Sequence, residues 1–199
     1  EFRRVLFRSV TSISDGTFSG CKALTGITLG EDVVSIGEYA FSECYKLERI
    51  NLPNGMRSVG NYAFEDCRSL VRIMMPDSLT TVGDYVFSGC TALESVTLGN
   101  GITEISRGEF NGCKSLKSVT IPYSVSVIRW RAFYECDRLE SVSLCETLIG
   151  IEYEAFYSCK SLKGIRIPDN VTHLGYGAFE NCSSLSEVIM SENITEIGH

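Results

Sequence analysis
Phenylalanine returns at a fixed interval of 23 residues, at Phe18, Phe41, Phe64, Phe87, Phe110, Phe133, Phe156 and Phe179. Three residues after each stands a cysteine: Cys21, Cys44, Cys67, Cys90, Cys113, Cys136, Cys159 and Cys182. A leucine follows three further on, from Leu24 to Leu185, and then two apolar positions separated by one residue, as in Ile27/Leu29 and Ile50/Leu52. A pair spaced by three, such as Val33/Ile36 or Met56/Val59, completes the unit. So short a unit cannot close a core alone. It must be covered by copies of itself, and this self-similarity predicts a solenoid. Each Phe is expected to lie over the Phe of the preceding coil and each Cys over a Cys. That explains why "GEYAFSEC" (37–44) and "GNYAFEDC" (60–67) keep Ala-Phe and Cys while their neighbours drift.

Within the unit, "LTGITL" (24–29) and "LERINL" (47–52) put apolar side chains on one face in period two, the pattern of a short strand. The strand ends at Pro or Gly followed by turn formers, as in "PNG" at 53–55 and "PDN" at 168–170. Pro presets φ there, and Asp or Asn bonds back to the local backbone. A second extended piece follows, "VVSIG" or "LTTVG". Gly37, Gly60, Gly83, Gly175 and Gly198 are expected to take a positive φ. A short helical turn through "EYAFSEC" then leads to the next strand. Strands of successive coils should pair in parallel, ~4.7–4.9 Å apart.

The full pattern, L-x-x-I-x-L-P-x-x-V-x-x-I-G-x-x-A-F-x-x-C, resembles the leucine-rich repeat, whose strand reads L-x-x-L-x-L. More closely, it is similar to the BspA-like branch of that family, which has a 23-residue unit with an Ile-Pro strand end and an Ala-Phe-x-x-Cys return. The likeness runs from Val10 to His199, one solenoid of about eight repeats. It departs at Glu109, which replaces Ala, at Ser106, Arg129 and Glu152, which replace the turn Gly, and at Cys145, which stands where Pro or Gly is expected. The middle coils are therefore expected to turn differently. The resemblance implies a right-handed, mostly β solenoid with a parallel sheet on its concave side and helical turns on the return. It further implies a surface or secreted protein of host-associated bacteria or protists working in adhesion, and it brings no catalytic motif.

Residues 1–9, "EFRRVLFRS", lack an initiator Met, fit no repeat and are too short for a secretory signal with its cleavage site. They resemble a translated cloning scar. The repeats begin in mid-unit at Val10 and stop in mid-unit at "EIGH". Neither end carries the polar cap that solenoids need, so further repeats or caps are expected in the gene. Net charge is −7, and without the three arginines and one glutamate of the first nine residues the remainder carries −9. An acidic body repels nucleic acid and anionic lipid. No run approaches the ~18 apolar residues of a membrane span.

Nine cysteines raise the question of disulfides or metal. In a parallel stack successive Cβ vectors point the same way, which suits a disulfide poorly. One ligand per coil does not build a tetrahedral zinc site. The ladder reads as small buried hydrophobes. Cys145 lies outside it at a loop position, where it is either the most reactive thiol or an inert loop residue. His173 is five positions out of register with Cys145, so the two should not meet as a catalytic pair, and His199 is the last residue. The position after each strand end carries Glu31, Asn54, Asp77, Asn100, Tyr123, Glu146, Asp169 or Glu192, a ladder explained by turn propensity or, less simply, by calcium. Asn170, Asn181 and Asn193 open N-x-Ser/Thr patterns that coincidence explains unless the source is eukaryotic. No cofactor or metal site is expected.

Two surfaces remain. The outward face of the strands is rich in Ser and Thr but carries an apolar and cationic spot at Arg49, Val71, Arg72 and Met74. On the return turns Trp130 and Tyr134 occupy one coil, and Tyr153 and Tyr157 the equivalent places on the next. Such rings match binding hot spots and stack on sugars, or they merely cover the coil edge. The expected function is a non-enzymatic binding or adhesion module for protein or glycan, extracellular or on the cell surface. The alternatives are an intracellular scaffold and the targeting region of a larger enzyme.

Overall fold
A computed structural model describes residues 10–198; the segment 1–9 read as a scar, and His199, lie outside the described residues. The chain is a stack of coils, each with two short strands. The three-residue strands are β2 (Gly26–Thr28), β4 (Arg49–Asn51), β6 (Arg72–Met74), β8 (Ser95–Thr97), β10 (Ser118–Thr120), β12 (Ser141–Ser143), β14 (Gly164–Arg166) and β16 (Glu187–Ile189). The two-residue strands are β1 (Ser12–Ile13), β3 (Ser35–Ile36), β5 (Ser58–Val59), β7 (Thr81–Val82), β9 (Glu104–Ile105), β11 (Val127–Ile128), β13 (Gly150–Ile151), β15 (His173–Leu174) and β17 (Glu196–Ile197). All pairing is parallel, and each residue faces its counterpart one repeat on, as Ile27 faces Ile50 and Val119 faces Val142.

The repeat interval puts like on like. The rings from Phe18 to Phe179 form one column with centroids 5.2–5.6 Å apart and near-parallel planes, an offset-stacked arrangement. Phe41 to Phe156 have no exposed surface at all. Beside them the seven cysteines of the repeat column from Cys44 to Cys182 each donate the S–H to the backbone carbonyl of the Phe one coil back, at 3.1–3.3 Å. That carbonyl also accepts a backbone N–H from the cysteine of its own turn, as Phe41 O does from Cys44. The thiol thus fills the second lone pair of a buried carbonyl while packing as a small apolar group.

The return segments contain no helix among the described residues, contrary to the sequence expectation. They are tight turns with one left-handed residue every fourth position: Tyr39 and Glu43 (φ 53° and 57°), then Tyr62 and Asp66 (both 56°). Their alternate N–H groups reach the next coil, with Tyr39 bonding Asn61 O at 3.0 Å and Phe41 bonding Ala63 O at 2.8 Å. A left-handed L-residue costs roughly 1–2 kcal/mol, and the bonds from coil to coil hold it there. The turn glycines also serve a different purpose from the expected one. Gly37, Gly60, Gly83, Gly175 and Gly198 do not take positive φ. They are needed for close approach: a Cβ on Gly60 would lie 2.6 Å from Glu38 N of the preceding coil.

On the two-residue strands, one sheet holds β1, β3, β5 and β7, and another holds β9, β11, β13, β15 and β17. The seam between them falls at Ser106. In regular coils the residue at this place donates its N–H to the coil before, as Gly83 does to Val59 O at 2.8 Å. Ser106 instead sends its N–H to Glu109 Oε2 at 2.8 Å, and its hydroxyl takes Val82 O at 2.8 Å. Two departures from the repeat, Ser106 and Glu109, therefore account for the break. On the other face the strands join in twos, β2 with β4, β6 with β8, β10 with β12 and β14 with β16. Leading into those strands, the bond between coils is short within a pair (Glu94 N to Val71 O, 2.8 Å) and long between pairs (Val71 N to Glu48 O, 3.3 Å).

Candidate binding surfaces
The first surface is an aromatic ridge on the return turns, built by residues that break the repeat. Arg129 and Glu152 stand in the glycine column and turn polar side chains to one another. Arg129 Nη2 bonds Glu104 Oε2 at 2.6 Å, and Nη1 bonds Glu152 Oε1 at 2.7 Å. The other carboxylate oxygen of Glu152 accepts the backbone N–H of Trp130 at 3.0 Å, fixing the turn that carries the indole. Trp130 then meets Tyr153, with centroids 6.2 Å apart and planes tilted by 45°, and Tyr153 stacks on Tyr176 at 5.4 Å. Tyr134 stacks on Tyr157 at 4.8 Å in a second column. Arg131 lies between the two, its guanidinium 4.9 Å from the Trp130 ring and 4.8 Å from the Tyr134 ring, and is ion-paired with Glu154. That hydrogen-bonded carboxylate raises the guanidinium pKa above its ordinary value, so the cation between the rings is permanent.

All four aromatics singled out in the sequence are thus brought into one continuous surface, to which Arg131 and Tyr176 also belong. Tyr153 and Tyr176 are exposed and the other rings half-buried. A second stack, Tyr39 on Tyr62 on Tyr85 at 4.9 and 5.2 Å, runs along the earlier coils. Its signal was present in the sequence as tyrosine at the same 23-residue interval.

The second surface is the outward face of the three-residue strands. Arg49 opens β4 and Arg72 opens β6, the same place on successive coils. Met74 ends β6 and is 67% exposed, and Val71, just before the strand, is exposed too. Arg49 lies on β4 and Arg72 and Met74 on the neighbouring β6, all three exposed.

Other candidates resolve into structural roles. Cys145 is not on a loop surface: it is buried, donates to Val125 O at 3.3 Å and accepts from the Thr147 hydroxyl at 3.2 Å. Its strand-end column faces inward, as the buried Pro53 and Pro168 also show. The accessible thiols are instead Cys21, exposed at the first described coil, and the half-buried Cys182. Interaction with the neighbouring Cys159 thiol lowers the Cys182 thiol pKa, whereas burial raises that of Cys44 to about 11. Iodoacetamide on the native chain should alkylate Cys21 first and Cys182 next, leaving the other seven thiols until denaturant is added. Peptide mass spectrometry reads this, and early alkylation of Cys145 would contradict its placement.

His173 lies 3.2 Å from Glu196, its counterpart one coil on. In the turn ladder Asp77 Oδ1 accepts both the backbone N–H and the side-chain amide of Asn100. Among the described residues no three His, Cys, Asp or Glu side chains converge as a metal site. The three sequon amides are engaged too: Asn170 with Glu146 O at 2.6 Å, Asn193 with Asp169 O at 2.9 Å and Asn181 with the Tyr157 hydroxyl at 2.8 Å.

The family model described as "BspA type Leucine rich repeat region" matches this chain in six copies, over residues 5–117 and 103–199. No curated protein matches it. Among solved structures, the chain is similar to a leucine-rich repeat protein from Eubacterium ventriosum, with 29% identity and a TM-score of 0.76 over 82% of this chain and 44% of that one. The T. pallidum leucine-rich repeat protein is 32% identical with a TM-score of 0.70, over 89% of this chain and 72% of that one. A leucine-rich cell surface protein from Faecalibacterium prausnitzii is 28% identical with a TM-score of 0.54, over 91% of this chain and 51% of that one.

Proposed function
Because the chain belongs to the BspA-type leucine-rich repeat family, we propose that it is a non-catalytic binding module of a surface or secreted protein, recognising a protein or glycan on the outside of its coils. The aromatic ridge from Trp130 to Tyr176 carries this reading. Tyr and Trp offer large, rigid contact area with few rotatable bonds, and such rings dominate binding energy where they occur. Here Arg131 and the Arg129–Glu152 bridge hold them in place before any ligand arrives, which lowers the ordering cost of association. Many polar groups of the coils serve the stack itself. The thiols donate to Phe carbonyls, and the turn amides and hydroxyls bond neighbouring coils.

Surface location is supported by the Faecalibacterium prausnitzii neighbour, described as a cell surface protein. The chain spans 44% of its Eubacterium ventriosum neighbour, so the activity of a longer parent belongs to this proposal. A glycan array and immobilised extracellular-matrix proteins, probed with the parent chain, test it. The paired substitution Trp130→Ala with Tyr153→Ala should weaken any ligand found by roughly thirtyfold or more, since a hot-spot ring contributes about 2 kcal/mol or above. Unchanged binding by that variant discards the ridge as the site.

A further inference from the structure
We propose that the Arg49–Arg72 face of the sheet docks an extended acidic peptide in which an aspartate or glutamate and an aliphatic side chain stand two residues apart. This rests on the binding-module reading for its premise but uses a surface separate from the aromatic ridge.

The outward positions of the three-residue strands are mostly Gly, Ser and Thr, and only here do two cations occupy the same place on successive coils. Gly26 faces Arg49 on one side, and Ser95 faces Arg72 on the other. These small neighbours leave the guanidinium groups room. Arg49 leans towards Gly26: a Cβ there would lie 3.7 Å from Arg49 Cγ and 3.9 Å from Nε. The missing side chain opens a depression of about 470 Å³ lined by Thr25, Thr28, Glu48, Arg49 and Asn51. Among the described residues neither guanidinium has a carboxylate within 4.0 Å, Glu48 included. The cations on the adjoining rim are paired, Lys117 with Glu94 at 3.0 Å and Lys163 with Glu140 at 2.8 Å.

Unpaired guanidinium groups favour carboxylates, which they bind bidentately. The apolar half of the spot narrows the choice of partner. Met74 is 67% exposed on the same strand as Arg72, and an aliphatic side chain would cover it. Arg72 and Met74 are two residues apart on one strand, so their side chains share a face at ~6.6–6.8 Å. An extended peptide repeats at the same distance, so a carboxylate over the arginines places the second side chain along over Met74. A sulfated polysaccharide has no apolar side chain to lay over Met74, and the net charge of −7 repels its many charges far more than the one or two of a short peptide.

The test uses the full chain and a dye-labelled, end-blocked octapeptide, Gly-Asp-Ser-Leu-Asp-Ser-Leu-Gly, followed by fluorescence anisotropy. Saturable binding that weakens with salt is expected. Arg72→Ala should lower affinity roughly tenfold, the usual scale for a hydrogen bond to a charged group. Met74→Ser should lower it about threefold, and Arg166→Ala, on the same face at β14, should leave it unchanged. All three side chains are exposed, so an unchanged melting temperature confirms an intact fold. Absence of peptide binding, or equal binding by an Arg49→Ala/Arg72→Ala variant, overturns the proposal. So does heparin binding that needs both arginines while the peptide fails. Failure here with ridge-dependent binding retained would leave the binding-module reading standing; loss of ridge dependence alone would leave this site standing.

Discussion

Phe110→Ala is expected to lower the unfolding free energy by about 3–5 kcal/mol, the usual cost of removing a fully buried aromatic side chain. Phe110 has no exposed surface and lies between Phe87 and Phe133, with centroids 5.6 and 5.4 Å away. Both neighbours belong to other coils, so the cavity would open two coil boundaries at once. In a solenoid, where each repeat touches only the next, stability is close to a sum of repeat and boundary terms. The loss should therefore be local in space as well as large. Urea unfolding would give the free energy, and hydrogen exchange should show lost protection in the coils flanking Phe110. Phe179→Ala supplies the comparison. That ring is only partly buried and stacks on Phe156 alone at 5.4 Å, so its removal should cost distinctly less. Equal losses at the two positions would mean that the column does not act as a chain of pairwise boundaries.

Whatever depends on a residue meeting its own counterpart was legible in the sequence. Phe, Cys and the strand residues pair at one repeat interval, so periodicity alone places them. Contacts between different columns were not legible. Arg131 touches Trp130 and Tyr134 only because the turn bends them together. Cys145 occupies a column whose usual Pro or Gly marks a turn, and composition cannot show that this turn faces the core. Residue identity also underdetermined the cause at Gly60: a left-handed backbone and a missing Cβ both call for glycine, and only the 2.6 Å approach to Glu38 N distinguishes them. The exposure of Cys21, a formal member of the thiol column, follows from its place in the first described coil.

Glu109 gives the strongest expected dependence on pH. It stands where most coils have alanine, is fully buried, and has one carboxylate oxygen, Oε1, without a hydrogen-bond partner. Desolvation raises its pKa from 4.5 to about 8, aided by Glu104 and Asp84 and opposed by the Ser106 N–H. Between these values the native chain holds a proton that the unfolded chain has released. The stabilising contribution is therefore full below pH 4.5, declines as pH rises and is gone above about 8. The shift is worth on the order of 5 kcal/mol across that window. Glu109→Gln keeps the shape but cannot ionise, so its stability should stay flat where the parent's falls. Glu109→Ala restores the repeat residue and frees the Ser106 N–H to bond Val82 O as regular coils do. It should be more stable than the parent above about pH 8 and should join β7 to β9. Thermal melts from pH 5 to 9 on the three proteins decide it. A parent slope identical to that of Glu109→Gln would mean that the carboxyl reaches water.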